Sequence, residues 1–265
     1  MKAITQESCE RAWLEAAEHL AGVRQRTEYN LIVEITKPTM HDDADRRIQS
    51  TVDQFLRSYD ANPLSTVAGT IFPVSEYRNF GTRGVYEVYP NEVYPEIKDP
   101  NEWGRYAYRL VRWPTDSSTP INPLKTVVEK IVTQRTGPRM RACYEISLTE
   151  SAIDLPLYDP ARDGGRPRSG PCLSHVSLKI GLTDTLYLTA IYRSHSYVER
   201  ALGNFYGLAA LQAFVCDQTG LTPGPLVCVS SYARLETEGG WSVSAAKDLV
   251  VAARAACSGV GNEAA

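Results

Sequence analysis

Apolar positions recur at helical spacing near the N-terminus. Trp13, Leu14, Ala17, Leu20 and Ala21 fall on one stripe, with Ser8 ahead as a cap and Gly22 behind as a stop. Leu31 to Thr36 (LIVEIT) reads as a strand. Asp42 and Asp43 put negative charge at the start of a second helix to about Tyr59, whose apolar face is Ile48, Val52, Phe55 and Leu56. Another helix, around Leu124 to Thr133, follows Pro123. Segments 141–148, 173–180 and 185–192 carry strand patterns, the last two joined through Gly181-Leu-Thr-Asp184 as a hairpin. The longest apolar helix spans Val198 to Thr219, stopped by Gly220 with Pro223 beyond. It is apolar on nearly every face, which predicts a central position. Leu226 to Ser231 reads as a buried strand and Ser244 to Ala256 as a last helix. Strands and helices alternate without a regular βαβ cadence, so the expected class is α+β, a mixed sheet flanked by helices.

One segment breaks the pattern. Ser151 to Pro171 holds four prolines and three glycines in 21 positions and predicts a loop. A loop of that length is usually functional or disordered, and this one ends at Cys172.

Composition narrows the chemistry. With 28 Lys+Arg against 31 Asp+Glu and a net charge of −3, the chain excludes nucleic-acid binding by bulk charge, so any anion site must be local. No linker, charge block or repeat divides residues 1–265, which predicts a single domain. The polar N-terminus and the lack of an ~18-residue apolar run predict a soluble, cytoplasmic protein with no membrane partner. Six cysteines without a CxxC pair and four histidines without metal-helix spacing predict no metal.

An isolated thiol at a loop–strand junction reads as packing. The second strand changes that reading: it delivers Arg193-Ser194 twenty-one residues on, across a hairpin that folds back beside Cys172. An arginine near a thiol favours the thiolate and can hold a phosphate bidentately. Eleven residues past Arg193 stands Asn204, polar in an apolar helix, either an internal cap or a reader of a ligand edge. His175 and His195 read as structural residues, Tyr86, Tyr89 and Tyr94 as packing aromatics, and Arg162, Arg166 and Arg168 as solvated loop residues.

These residues resemble the thymidylate synthase family and its relatives, the pyrimidine-nucleotide hydroxymethylases. That family carries its nucleophile after a proline, an Arg-Ser pair about twenty residues on, and an Asn or Asp eleven residues after the Arg. Pro171-Cys172, Arg193-Ser194 and Asn204 match in turn, and Leu221-Thr-Pro-Gly224 matches the turn after the family's long helix. Trp103-Gly-Arg-Tyr106 resembles a segment that places Tyr106 in the pocket. Arg139-Met-Arg141 resembles paired arginines that reach a partner's phosphate across a homodimer. The likeness covers roughly residues 60–236, with its firmest spacing over 171–227.

The resemblance implies a thymidylate-synthase-like fold and attack by Cys172 on carbon 6 of a pyrimidine nucleoside monophosphate, with 5,10-methylenetetrahydrofolate as the one-carbon source. Arg193, Ser194 and Arg139 or Arg141 would grip the phosphate, and Asn204 the base edge. Glu76 is the nearest candidate for the family's proton-shuttling Glu. Departures bear on the product. Leu173 replaces the family's His, Ser196 replaces a synthase's Asp, and Arg234-Leu-Glu236 falls where a synthase holds the sugar hydroxyl. The altered sugar pocket suits a ribonucleotide. The C-terminal stretch Ser258 to Ala265 does not resemble the synthases' apolar tail, and Asn62 to Pro73 is closer to cytidylate hydroxymethylases. The expected activity is therefore 5-hydroxymethylation of CMP, with 5-methylation of UMP or dUMP and a nucleotide-binding pseudoenzyme as the alternatives.

Overall fold

A computed structural model describes residues 1–98, 105–113, 120–134, 140–148 and 171–259. Its frame is a seven-stranded mixed sheet. The strands are β1 (Ala3–Gln6), β2 (Thr27–Ile35), β3 (Tyr144–Ser147), β4 (Leu173–Ile180), β5 (Thr185–Tyr192), β6 (His195–Ser196) and β7 (Thr222–Arg234). Their order is β1-β2-β7-β5-β4-β3, with β6 added on β7. β1/β2, β5/β7 and β6/β7 run parallel, while β2/β7, β3/β4 and β4/β5 run antiparallel. Helices α1 (Cys9–Gly22), α2 (Asp43–Ser58), α3 (Leu64–Ile71), α4 (Val74–Arg83), α5 (Tyr94–Ile97), α6 (Tyr106–Val111), α7 (Pro123–Gln134), α8 (Ala201–Thr219) and α9 (Val243–Cys257) flank it. The architecture is mixed α and β, compatible with the α+β expectation. Among the described residues no helix is long and apolar enough to cross a membrane.

Local chemistry sets several boundaries where the sequence places them. The Ser8 hydroxyl accepts from the Arg11 N–H at the start of α1, and Asp42 and Asp45 form a reciprocal capping box at the start of α2. Gly220 takes φ 67° to end α8, a left-handed conformation that glycine adopts without strain. The β4–β5 hairpin pairs Leu173 with Tyr192 and closes with the Gly181 N–H donating to the Thr185 carbonyl at 2.8 Å.

Other boundaries are tertiary. α8 begins at Ala201 rather than Val198 because the Val198 and Glu199 N–H groups donate to the buried Glu236 carboxylate at 3.1 and 2.7 Å. β7 outruns the expected Leu226–Ser231 segment at both ends because β5 and β6 each lie along it. The helices between residues 64 and 111 have no strong sequence signal: α3 is eight residues long and stands between Pro63 and Pro73. Packing fixes α3. A Cβ on Gly203 would stand 2.6 Å from the Val67 Cβ, and one on Gly207 would stand 2.6 Å from the Ile71 Cβ. The two glycines, four apart on one face of α8, cut a notch that seats α3.

Candidate active site

The open end of the β4–β5 hairpin faces α3 and the first turn of α8, and between them lies a cavity of about 670 Å³. Cys172, Arg193, Ser194, Asn204, Tyr106 and Arg234 all line it. The hairpin supplies the closest pairing. The Arg193 N–H donates to the Cys172 carbonyl at 2.9 Å, and Arg193 Nε donates to the Pro171 carbonyl at 2.8 Å. A register shift between Leu173 and His175 marks a bulge at the strand's start, a common device for aiming a side chain.

Tyr106 enters from α6, and its hydroxyl accepts from the N–H groups of Cys172 at 2.8 Å and Leu173 at 3.1 Å. It holds the backbone at Cys172 and Leu173. Desolvation raises the Tyr106 phenol far above its ordinary range, with the neighbouring Cys172 adding to the effect. The phenol therefore stays protonated near neutral pH.

Cys172 is partly buried, and burial pushes its thiol up while Arg193, Arg234 and Arg200 pull it down. Arg105 is a fourth arginine in the wall, and among the described residues no carboxylate lines this cavity. Arg234 reaches Ser196 Oγ at 3.4 Å and pairs with Glu238, and Arg200 pairs with Glu199 at 2.8 Å. Such a concentration of guanidinium groups suits a phosphate.

Behind the arginines lies a neutral polar cluster. His195 is 1% exposed and stacks on Tyr192, with ring centroids 4.1 Å apart and 4° between the planes. Its Nδ1 meets Ser230 Oγ at 2.9 Å, and its Nε2 meets Asn204 Nδ2 at 3.0 Å. Desolvation lowers the His195 pKa to about 3, so the ring is neutral. His195 therefore does more than the structural role read for it in the sequence: it lines the cavity and holds Asn204.

Several expected residues fall elsewhere. Glu76, on the first turn of α4, lines a second cavity of about 710 Å³ and does not line the Cys172 cavity. α3 stands between the two, and among the described residues they share only Thr66 and Arg105. Arg141 is exposed before β3, where its carbonyl accepts from the Ile180 N–H at 3.0 Å. Arg139, Trp103, Gly104 and the loop over 151–170 lie outside the described residues. His175 pairs with Glu145 at 2.8 Å across β3 and β4, away from the cavity. Tyr89 packs in the core and borders the second cavity. Among the described residues no cluster of three His, Cys, Asp or Glu could hold a metal ion.

The cavity also contains Asn62, Thr66, Thr70 and Arg200, which the sequence reading did not single out. Arg200 had a signal, because it stands four residues before Asn204 and so on the same helical face. The two threonines had none, since their place depends on α3 being a helix.

Comparison with known proteins adds an independent line. No family model matches the chain. A protein of Methanococcoides burtonii named "Putative thymidylate synthase" is 27% identical over 130 residues, 49% of this chain and 51% of that one. A protein of Methanosarcina mazei with the same name is 25% identical over 125 residues, 47% of this chain and 49% of that one. The chain thus spans about half the length of the curated relatives it matches. Their similarity agrees with the spacing of Cys172, Arg193 and Asn204 in relating this chain to a thymidylate-synthase-like family.

Proposed function

We propose that the protein transfers a one-carbon unit to carbon 5 of a pyrimidine nucleoside monophosphate, with CMP as substrate and 5-hydroxymethyl-CMP as product, on a thymidylate-synthase-like scaffold. The observation that carries this reading is the shared cavity: a half-buried thiol, four arginines and a buried carboxamide face one space without a carboxylate among its described walls.

The nucleotide's phosphate is held by Arg193, Arg200 and Arg234, with Ser194 as a hydroxyl donor. Their charge also lowers the cost of the Cys172 thiolate, which burial alone would raise. The thiolate forms a sulfur–carbon 6 bond, and the carbon 5–carbon 6 π pair moves to carbon 5, which becomes the nucleophile. Tyr106 fixes the backbone that presents the sulfur. The proton on carbon 5 would be lost after the new carbon–carbon bond forms, and the pair it leaves would break the bond from the one-carbon unit to the folate nitrogen, so that tetrahydrofolate departs and an exocyclic methylene remains on the ring. Water then adds to the exocyclic methylene as the sulfur leaves, which gives the hydroxymethyl product.

Methylenetetrahydrofolate, when bound, supplies the one-carbon unit. Arg139 and Arg141 would complete the phosphate site of a second copy in a homodimer.

The test offers CMP, dCMP, UMP and dUMP with methylenetetrahydrofolate and weighs the products by mass spectrometry. A hydroxymethyl mass increment on CMP is expected. Cys172→Ala should lower tritium release from carbon 5 by at least about a thousandfold; full release in that variant would overturn the reading. A second reading, methylation of UMP or dUMP, is favoured by the name of the two relatives. Dihydrofolate absorbance during turnover identifies it, because water addition produces none. Tight nucleotide binding with no exchange at carbon 5 would mark a pseudoenzyme instead.

A further inference from the structure

Asn204 is the polar group that α8 turns toward the cavity, and its amide has two unlike ends. Nδ2 is engaged by His195 Nε2 at 3.0 Å, whereas Oδ1 has no hydrogen-bond partner among the described residues. The engagement is directional: an amide N–H can meet the Nε2 lone pair only if the imidazole proton sits on Nδ1. That proton then points at Ser230 Oγ, 2.9 Å away. The ring cannot swing to test other partners. It is 1% exposed, lies flat on Tyr192 and has Phe205 at its edge with centroids 6.0 Å apart.

We infer that His195 is a positioning residue for base selection: it locks the Asn204 carboxamide in one orientation and so decides which end of the amide meets the pyrimidine edge. Cytosine and uracil present reversed donor and acceptor patterns at positions 3 and 4, so a locked amide matches one base and opposes the other. A freely flipping amide serves both. Selectivity then resides in a buried neutral histidine rather than in Asn204 alone. This inference rests on the nucleotide reading of the cavity given above.

The test compares specificity constants for CMP and UMP in the wild type, His195→Phe and His195→Gln. Phenylalanine keeps a ring on Tyr192 and removes the acceptor, and glutamine restores an acceptor near the Nε2 position. We expect the ratio between the two bases to shrink about tenfold in H195F, the size of one hydrogen bond's discrimination, and to recover at least in part in H195Q. Parallel loss on both bases with an unchanged ratio would overturn the inference while leaving the nucleotide reading intact. A wild type that neither binds nor turns over any pyrimidine nucleotide overturns both.

A second measurement needs no variant to fold. Nitrogen-15 shifts of the His195 ring in the wild-type protein should report a proton on Nδ1 and a bare Nε2. A proton on Nε2 would invert the amide and overturn the assignment.

Discussion

The cavities on either side of α3 are similar in volume, yet the histidine at each has the opposite character: His195 is buried, whereas the His41 side chain is 37% exposed. His195, behind the Cys172 cavity, meets Ser230, Asn204 and, at 3.9 Å, the Cys228 thiol, and is held uncharged. His41, beside the second cavity, meets the fully buried Glu10 carboxylate at 2.7 Å, and that hydrogen bond raises its pKa although burial opposes it. Tyr206 donates to the same Glu10 oxygen at 2.7 Å, while Glu10 Oε2 is buried without a partner among the described residues. Burial lowers the pKa of both rings. The partner decides the direction: a carboxylate raises the histidine's pKa, whereas an amide and a hydroxyl give no reason to hold a proton.

The largest effect should come from removing that carboxylate. Glu10→Ala strands His41 and Tyr206 and opens a void beneath the second cavity, with an expected loss of about 3 kcal/mol of stability by urea unfolding. A loss below ~1 kcal/mol would mean that the Glu10–His41 pair does not distinguish the two sides as argued. Next comes the divider itself. Gly207→Val would force α3 off its notch, because Ala68 O and the Ile71 side chain already stand where the new atoms must go. About 2 kcal/mol of destabilisation is expected from overpacking, together with weaker nucleotide binding.

The two histidines should also give stability opposite pH slopes. The folded pKa of His195 lies below its unfolded value, so its stabilising contribution is present above about pH 6.5. It is lost as pH falls toward about 3, with a slope of at most about 1.4 kcal/mol per pH unit. His41 has a raised folded pKa, so its contribution is full below about pH 6.5 and is lost as pH rises through the folded value. Unfolding midpoints from about pH 4 to pH 9 should therefore show H195F flattening the acid limb and H41Q flattening the alkaline limb. The same limb affected in both variants would refute the contrast.

The smallest effect concerns the Cys172 side alone. Tyr106→Phe removes the acceptor shared by two backbone N–H groups and should lower kcat about tenfold with little change in KM. A change confined to KM would place Tyr106 on the substrate rather than on the strand.

The sheet elements that carry the site are those most legible in the sequence. The β4–β5 hairpin occupies the predicted residues, since period-two alternation and a Gly-to-Asp turn state its register outright, and register alone brings Arg193 to Cys172. Asn204 was legible as a polar intruder in an apolar helix, but not its partner: nothing in the spacing of His195 and Asn204 shows that a neutral ring meets an amide. Glu76 lines the second cavity for a related reason. Its distance from Cys172 depends on α3, a helix that exists because Gly203 and Gly207 leave room for it.

The order of residues along the chain thus determined the strands, the capped helices, the hairpin and the spacing of thiol, arginine and carboxamide, because each follows from contacts within a few residues or across one turn. Tertiary structure alone decided that two cavities stand back to back across α3, that four arginines converge on one of them, and which way each histidine's pKa moves. Those properties depend on desolvation and on neighbours far apart in the chain, and no local pattern encodes either.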